Sequence, residues 1–168
     1  MNDELHRVTC TAIIYKENGD SYSSKKFLIT KRALNKKKFP GKWTVPGGGI
    51  KVGDYANTPA TREGTIWYFA LENGLRREVS EEVGVDIGKV NYLLDLAIAV
   101  PENEPALVLS FYAPWKSGEV KLNDGENIEH AWVTFEEAKK YDLIGGIIEE
   151  LEMVDKILTG KDPSVVKF

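Results

Sequence analysis

The chain has 168 residues, of which 42% are hydrophobic and 29% are charged, so residues 1–168 can bury the core of a single soluble domain. Its net charge of −4 argues against polymeric nucleic acid as a partner, because backbone-binding proteins usually present a strongly basic face. The single cysteine, Cys10, excludes an internal disulfide framework and a zinc finger, and is expected to be a small buried strand residue. The N-terminus lacks a signal-peptide pattern and no apolar run is long enough to span a bilayer, so we expect a cytoplasmic protein with no membrane partner.

The first third of the chain is predicted to form strands and loops. Val8–Tyr15 and Lys26–Arg32 are predicted strands of a hairpin, with the turn signal Asn18-Gly19 between them. A short apolar piece, Trp43–Val45, leads to Pro46 and three consecutive glycines, and an irregular segment then runs from Ile50 to about Gly64.

The rest of the chain alternates helical and strand patterns. Leucine or valine recurs every four residues from Leu71 to Val83, which predicts a helix from about Thr65 to Val83 that ends at Gly84. Further strands are predicted at Asn91–Val100, Ala106–Pro114 and Ile128–Val133, and further helices at Phe135–Tyr141 and Leu143–Leu158. This order indicates an α/β fold in which helices pack against a sheet.

Three glutamates near the end of the long predicted helix carry the chemical signal. Glu78, Glu81 and Glu82 have the spacing i, i+3 and i+4, which places their carboxylates side by side on a helix. Like charges repel, and anions are disfavoured near a helix C-terminus, so a cation should offset them. Lysine or arginine partners could do this, and a hard divalent cation would do it better because Mg²⁺ prefers carboxylate oxygen.

The sequence around these glutamates resembles the Nudix box. The run REVSEEVGV at positions 77–85 is similar to the second half of that motif, R-E-U-x-E-E-x-G-U with U apolar, at every specified position. The upstream segment FPGKWTVPGGGIKVGD resembles the approach to the box, with Gly48 as its first glycine and Asp54 in the position of its first glutamate. The resemblance covers about residues 8–135 and implies a Nudix α/β/α sandwich with a mixed sheet between helices.

Two features depart from the family pattern. Asp54 replaces the usual glutamate, which shortens that carboxylate by one methylene. In addition, 22 residues separate Asp54 from Arg77 where the motif has seven, so residues 55–70 are interpreted as an insertion. The insertion contains Tyr55, Trp67, Tyr68 and Phe69, whose rings would form a lid or substrate wall, or would pack the loop or a dimer interface.

The resemblance also implies roles for the matching residues. Glu78, Glu81 and Glu82 would bind Mg²⁺, with Mn²⁺ as the alternative metal, and would act in catalysis on a diphosphate. Arg77 would hold a glutamate in place by a charge-assisted hydrogen bond. Gly47, Gly48 and Gly49 would let the backbone turn tightly beside the helix.

The remaining candidate residues lie outside the helix. The general base is expected to be a box glutamate or a later one, and Glu126 and Glu129 are the later candidates, although each could also be an ordinary surface carboxylate. Arg32 could steer a polyanion toward the site, or could belong to a solvated basic loop with Lys36–Lys38. Arg32, the three glycines and Asp54 form the candidate substrate-binding set.

These features together predict a Mg²⁺-dependent Nudix pyrophosphohydrolase that cleaves a nucleoside triphosphate or a nucleoside diphosphate derivative. The alternative is a catalytically weak Nudix-like domain that binds a nucleotide as a sensor. A diphosphate isomerase fits less well, since the resemblance would then require a catalytic cysteine and metal-binding histidines, and the chain has Cys10 and two scattered histidines. The expected partner is a small phosphorylated molecule, and a homodimer, common in the family, is the protein partner to test.

Overall fold

The structure is a computed structural model that describes residues 4–16, 25–99, 105–123 and 125–168. Its strands are β1 (Arg7–Lys16), β2 (Lys26–Arg32), β3 (Trp43–Thr44), β4 (Gly47–Gly49), β5 (Asp86–Ile87), β6 (Asn91–Ile98), β7 (Ala106–Ser117) and β8 (Asn127–Val133). Its helices are α1 (Gly53–Ala56), α2 (Ala70–Val83), α3 (Phe135–Ala138) and α4 (Ile147–Leu158), followed by a 3₁₀ turn at Pro163–Val165.

The strands form a mixed sheet around a parallel pair. β1 and β7 run parallel, from Arg7 opposite Ala106 to Tyr15 opposite Pro114, and the remaining pairs are antiparallel. The order β3-β2-β1-β7-β5 is extended by β8 on β2, β6 on β7 and β4 on β1. The predicted antiparallel pairing of the first two strands is confirmed by Tyr15 opposite Phe27.

Alternate residues of the central strands face opposite helices. Cys10, Ala12 and Ile14 of β1 are buried in one apolar cluster with α2, whereas Ile13 lies in a second cluster with α4. Successive strand side chains point to opposite faces, so one strand supplies both cores. Helices therefore cover both faces of the mixed sheet, which confirms the predicted α/β/α sandwich.

Helix α2 has the predicted buried face and a later start than predicted. Leu75, Val79 and Val83 are at most 1% exposed, and Gly84 ends the helix with φ +67° while its N–H donates to Val79 and Ser80. The expected start near Thr65 was wrong, because the residues before Ala70 form a separate turn. In that turn Arg62 pairs with Ile66, so these backbone groups are not available to α2.

The last two helices are shorter than predicted. Helix α4 begins at Ile147 rather than Leu143, because Leu143 forms a bridge with Trp43 and the Ile144 N–H donates to the Trp43 carbonyl. Gly146 then turns the chain with φ +93°. Helix α3 ends at Ala138 rather than Tyr141, after a capping box between Thr134 and Glu137.

Two predictions fall partly outside this description. The predicted turn at Asn18-Gly19 and the predicted strand end at Val100 lie outside the described residues, and β6 ends at Ile98. Among the described residues, no helix combines the length and apolar character needed to cross a bilayer.

Candidate active site

The glutamates of α2 lie against the glycine strand β4. Glu78 and Glu82 are each 8% exposed, and the Gly47 N–H donates to Glu82 Oε2 at 3.1 Å. A Cβ atom on Gly48 would lie 2.6 Å from the Glu78 carboxyl carbon. A Cβ atom on Gly47 would lie 2.3 Å from the Cys10 carbonyl oxygen. Position 47 therefore requires glycine because its neighbour is backbone, whereas a side chain at position 48 would displace the end of Glu78.

Arg77 forms ion pairs with three carboxylates, those of Asp54, Glu78 and Glu81. Its Nε donates to Asp54 Oδ1 at 2.5 Å, its Nη2 donates to Asp54 Oδ2 at 3.1 Å, and its Nη1 donates to Glu81 Oε2 at 2.7 Å. Nη2 also lies 2.8 Å from Glu78 Oε1 and donates to the Gly49 carbonyl at 3.1 Å. These bonds raise the pKa of Arg77 above its ordinary value and, led by the Arg77 hydrogen bond, lower that of Asp54.

Glu82 lies in a less favourable electrostatic environment than Asp54. Burial, the largest effect, together with the charges of Glu78 and Glu126 raises the pKa of Glu82 to about 7, against the opposing influence of the Gly47 N–H and Arg32. The protein thus holds a buried acidic group whose charge is not fully balanced by its own side chains. A bound cation would stabilise the ionised form.

These side chains border a cavity of about 500 Å³, which we term the carboxylate cavity. Acidic side chains from α2 and from the loop before β8 share its wall with two cations and a carboxamide. Its lining residues are Arg7, Gly48, Gly49, Ile50, Lys51, Glu78, Glu81, Glu82, Asn123 and Glu126. Asn123 is tied to α2, because its Nδ2 donates to the Glu81 carbonyl.

The donor chemistry of the carboxylate cavity fits a hard divalent cation, since carboxylate oxygens are the ligands that Mg²⁺ prefers. In the described part of the chain, however, no three His, Cys, Asp or Glu side chains converge closely enough to hold an ion. Arg77 binds one oxygen of Glu78 and one of Glu81. Glu81, whose side chain is 55% exposed, lines the cavity while it is paired with Arg77.

The other predicted site residues divide between this cavity and other surfaces. Glu126 lines the carboxylate cavity, with Oε1 2.9 Å from Lys36 Nζ. Glu129 does not line it, because it stands opposite Lys31 within the β2–β8 ladder and forms an ion pair with that residue at 2.6 Å. Asp54 and Arg77 do not line the cavity either, and they form an ion pair with each other.

Arg32 and Gly47 line a second cavity of about 200 Å³ instead, which we term the side cavity. Arg32 Nε donates to the Lys38 carbonyl at 3.0 Å, so this arginine also orders the basic loop. Glu82 lines both cavities, which places the side cavity directly beside the carboxylate cavity.

Residues 55–70, the segment interpreted as an insertion, pack on one another. The rings of Tyr55 and Trp67 lie 5.7 Å apart, and Trp67 Nε1 donates to the Thr58 carbonyl at 3.0 Å. Tyr68 and Phe69 are 52% and 76% exposed. No residue of 55–70 lines either cavity, so these contacts favour the loop-packing interpretation over the substrate wall.

Cys10 is buried in β1, as its place in an apolar run indicates. It is 0% exposed, and burial raises the pKa of its thiol to about 11. A thiol in this state is a poor nucleophile at neutral pH, so Cys10 does not suit the catalytic role that an isomerase would require.

Three polar residues of the carboxylate cavity were not among the sequence candidates. Arg7 begins β1, Lys51 follows the glycine run, and Asn123 precedes β8. Proximity to the glycine run was a usable signal for Lys51. Arg7 and Asn123 are separated from the motif by long stretches of chain, and only the sheet brings them to it.

Comparison with known proteins identifies the family of this chain. The NUDIX domain family matches residues 70–151, a range that begins at the first residue of α2. Nucleoside triphosphatase NudI of Salmonella paratyphi B is 30% identical over 127 residues, which cover 70% of this chain and 79% of the relative. The chain therefore belongs to the Nudix family, and it is a hydrolase that acts on phosphoanhydride bonds.

Solved structures show the same fold at lower sequence identity. A NUDIX hydrolase from Alicyclobacillus acidocaldarius has a TM-score of 0.71 at 14% identity, with 94% of this chain and 96% of that chain covered. The NUDIX domain of Shewanella oneidensis NrtR, solved with ADP ribose, has a TM-score of 0.69 at 15% identity, with 92% and 90% covered.

Proposed function

We propose that this protein is a Mg²⁺-dependent pyrophosphohydrolase whose substrate is a nucleoside triphosphate or a nucleoside diphosphate derivative. The observation that carries the proposal is the carboxylate cavity, where Glu78, Glu81, Glu82 and Glu126 meet the cations Arg7 and Lys51. A wall of carboxylates alone would repel a polyphosphate, so the acidic residues are better suited to a metal and the two cations to phosphate oxygens. The similarity to a nucleoside triphosphatase supports triphosphates as the first substrates to test.

Glu78, Glu81 and Glu82 would hold the metal, with Mn²⁺ as an alternative to Mg²⁺. When bound, the metal supplies charge neutralisation on the diphosphate and lowers the pKa of attacking water. Arg77 positions Glu78 and Glu81 through the ion pairs at 2.8 and 2.7 Å. Arg7 and Lys51 would bind outer phosphate oxygens and hold the diphosphate against the glutamates.

Glu126 is the general base in this proposal. It reaches the carboxylate cavity from the loop before β8, and its charge contributes to the raised pKa of Glu82. A base outside α2 would take a proton from water and leave the α2 carboxylates to hold the metal. Lys36 Nζ forms an ion pair with Glu126 Oε1 at 2.9 Å, which orients this carboxylate.

The test is product release from a panel of nucleoside triphosphates, nucleotide sugars, ADP ribose and dinucleoside polyphosphates, with and without Mg²⁺. Pyrophosphatase reports released pyrophosphate and a phosphatase reports phosphomonoester products. Glu81→Gln and Glu82→Gln should each reduce turnover by at least about 100-fold, as expected when a group that stabilises transition-state charge is removed. Glu72→Gln is the matched control, since Glu72 lies on α2 but pairs with Arg76 outside the cavity.

The sensor alternative predicts a different result. Nucleotide binding by calorimetry without metal-dependent turnover of any panel member would reject the hydrolase proposal in favour of a binding domain. Turnover that survives in both glutamine variants would reject the assigned metal ligands.

A further inference from the structure

The side cavity holds a buried acidic group that the proposed chemistry does not use. Glu150 lies in the first turn of α4 and is 2% exposed, yet it lines this cavity. Its Oε2 is buried and has no hydrogen-bond partner among the described residues. Buried carboxylate oxygens are normally paired, so an unpaired one that borders an empty space calls for an explanation.

The other side of the carboxyl group is held in place by a chain of hydroxyl groups. Burial raises the pKa of Glu150, and hydrogen bonding by Ser110 of β7 opposes that rise. Ser110 Oγ in turn lies 3.0 Å from Thr11 Oγ1 of β1. Thr11 and Ser110 are paired in the β1–β7 register, which sets their separation. One half of the carboxyl group is therefore oriented by the sheet, and the other half is left for an occupant of the cavity.

The shape and lining of the side cavity indicate what that occupant is. Its volume of about 200 Å³ is below the roughly 300–1,000 Å³ of sites that enclose whole drug-sized ligands, so it suits a single ring system. Much of its wall is aliphatic, and Asn127, 7% exposed, is a buried polar side chain in addition to Glu150 and Glu82. The aliphatic part of the lining is Val45, Leu96, Ile98, Val108, Ile144 and Ile147.

The side cavity also lies next to the proposed binding site for the phosphates. Because Glu82 lines both cavities, a molecule with its diphosphate in the carboxylate cavity can extend its other end toward Glu150. A nucleobase has flat apolar faces for the aliphatic wall and N–H groups at its edge for an unpaired carboxyl oxygen. A sugar, with hydroxyl groups on both faces, would leave that wall poorly matched.

We infer that Glu150 is a specificity-determining residue that accepts an N–H from the edge of the substrate's nucleobase, with Ser110 as its positioning residue. This inference rests on the proposed nucleotide substrate and extends it, because it selects among bases by their donors. A site built to bind an N–H group discriminates strongly against an analogue that lacks it, since the buried acceptor then stays unpaired.

The experiment compares nucleoside triphosphates in pairs that differ in their N–H donors: cytosine with uracil, guanine with hypoxanthine, and adenine with purine. The wild type should prefer one member of at least one pair. Glu150→Gln, which replaces an acceptor oxygen by an amide donor, should reduce that preference about tenfold or more through KM, with kcat changed less than about threefold. Glu149→Gln is the matched control, because Glu149 precedes it on α4, also has a buried unpaired oxygen and does not line the side cavity.

Several outcomes would overturn the inference. They are an unchanged preference in Glu150→Gln, an equal loss for both members of every pair, and a wild type that does not discriminate within any pair. If Glu150→Gln does not fold, Ser110→Ala takes its place, since loss of the orienting hydroxyl should weaken the same preference.

Binding separates this inference from the proposed function. Calorimetry with α,β-methylene analogues of the same pairs measures base preference without turnover. A wild type that hydrolyses nothing but binds one member of a pair preferentially, with that preference lost in Glu150→Gln, would reject the hydrolase proposal and retain Glu150. Hydrolysis without any base preference would retain the hydrolase proposal and reject the role of Glu150.

Discussion

Arg77 and Asp54, 23 positions apart, form a two-point ion pair in which Nε and Nη2 of the guanidinium donate to the two carboxylate oxygens at 2.5 and 3.1 Å. The Asp54 side chain is 2% exposed and the Arg77 side chain 21% exposed. This contact closes the base of the insertion and places Arg77 beside Glu78 and Glu81. The shorter side chain of aspartate is therefore long enough to reach the arginine.

Asp54→Asn should destabilise the protein at neutral pH by about 1.5–3 kcal/mol, the usual range for hydrogen bonds to charged groups. The pKa of Asp54 is lowered in the folded state, so its contribution is complete above the unfolded pKa near 3.9 and is lost as the pH falls through the folded value. Thermal unfolding of the two proteins should differ constantly between pH 5.5 and 8, and the difference should shrink progressively as the pH falls below about 3.9. A difference that does not shrink on acidification would contradict this ion pair.

Glu82→Gln should stabilise the protein in chelating buffer above pH 7 while abolishing turnover. Burial raises the pKa of Glu82 from 4.5 to about 7, so the folded protein keeps a proton across this window that the unfolded chain releases. Wild-type stability therefore falls as the pH rises from 4.5 to 7, by up to about 3 kcal/mol, and the neutral amide avoids this loss. Chemical unfolding at pH 5 and pH 8 measures the effect, with Glu72→Gln as control. Equal destabilisation by Glu82→Gln at both pH values would contradict it.

Glu126→Gln and Glu129→Gln should differ sharply in activity. Glu126 lines the carboxylate cavity, whereas Glu129 pairs with Lys31 roughly 10 Å further along the chain. Loss of the general base should reduce kcat about 100-fold to 10,000-fold, and loss of an exposed ion pair should leave kcat within about twofold. Steady-state kinetics on the best substrate measures both variants. The opposite pattern would assign the base to Glu129.

Gly48→Ala should reduce activity more than stability. The added Cβ would lie 2.6 Å from the Glu78 carboxyl group, which is the flexible end of a side chain and can move aside. That movement displaces a proposed metal ligand, so we expect kcat/KM to fall at least about tenfold while Tm changes by only a few degrees. Kinetics and calorimetric melting on the same preparation measure the two effects, and full activity at an unchanged Tm would show that Glu78 does not need its present position.

Trp67→Ala distinguishes the two interpretations of the insertion. Trp67 packs against Tyr55 and donates to the Thr58 carbonyl, so its removal should cost about 1–3 kcal/mol of stability. The carboxylate cavity has no lining residue from 55–70, so kcat/KM should stay within about twofold. A large fall in kcat/KM in a folded variant would support the lid interpretation instead.

Local sequence determined much of the long helix and its acidic face. The four-residue spacing from Leu75 to Val83 and the glycine at position 84 predicted the buried stripe and the end of α2, because helix periodicity and left-handed C-terminal turns depend on neighbouring residues. The i, i+3, i+4 spacing likewise placed Glu78, Glu81 and Glu82 together. The start of α2 was wrong because a competing turn in the insertion is stabilised by contacts that periodicity does not record.

Only the tertiary structure decided which distant residues meet that helix. Glu126 and Glu129 are equivalent candidates in the sequence, and the β2–β8 register separates them by placing Glu129 opposite Lys31. The parallel pairing of β1 with β7 orients Ser110 toward Glu150, a relationship between segments far apart in the chain. Strand register and loop closure depend on the whole core, so contacts of this kind cannot be predicted from local spacing.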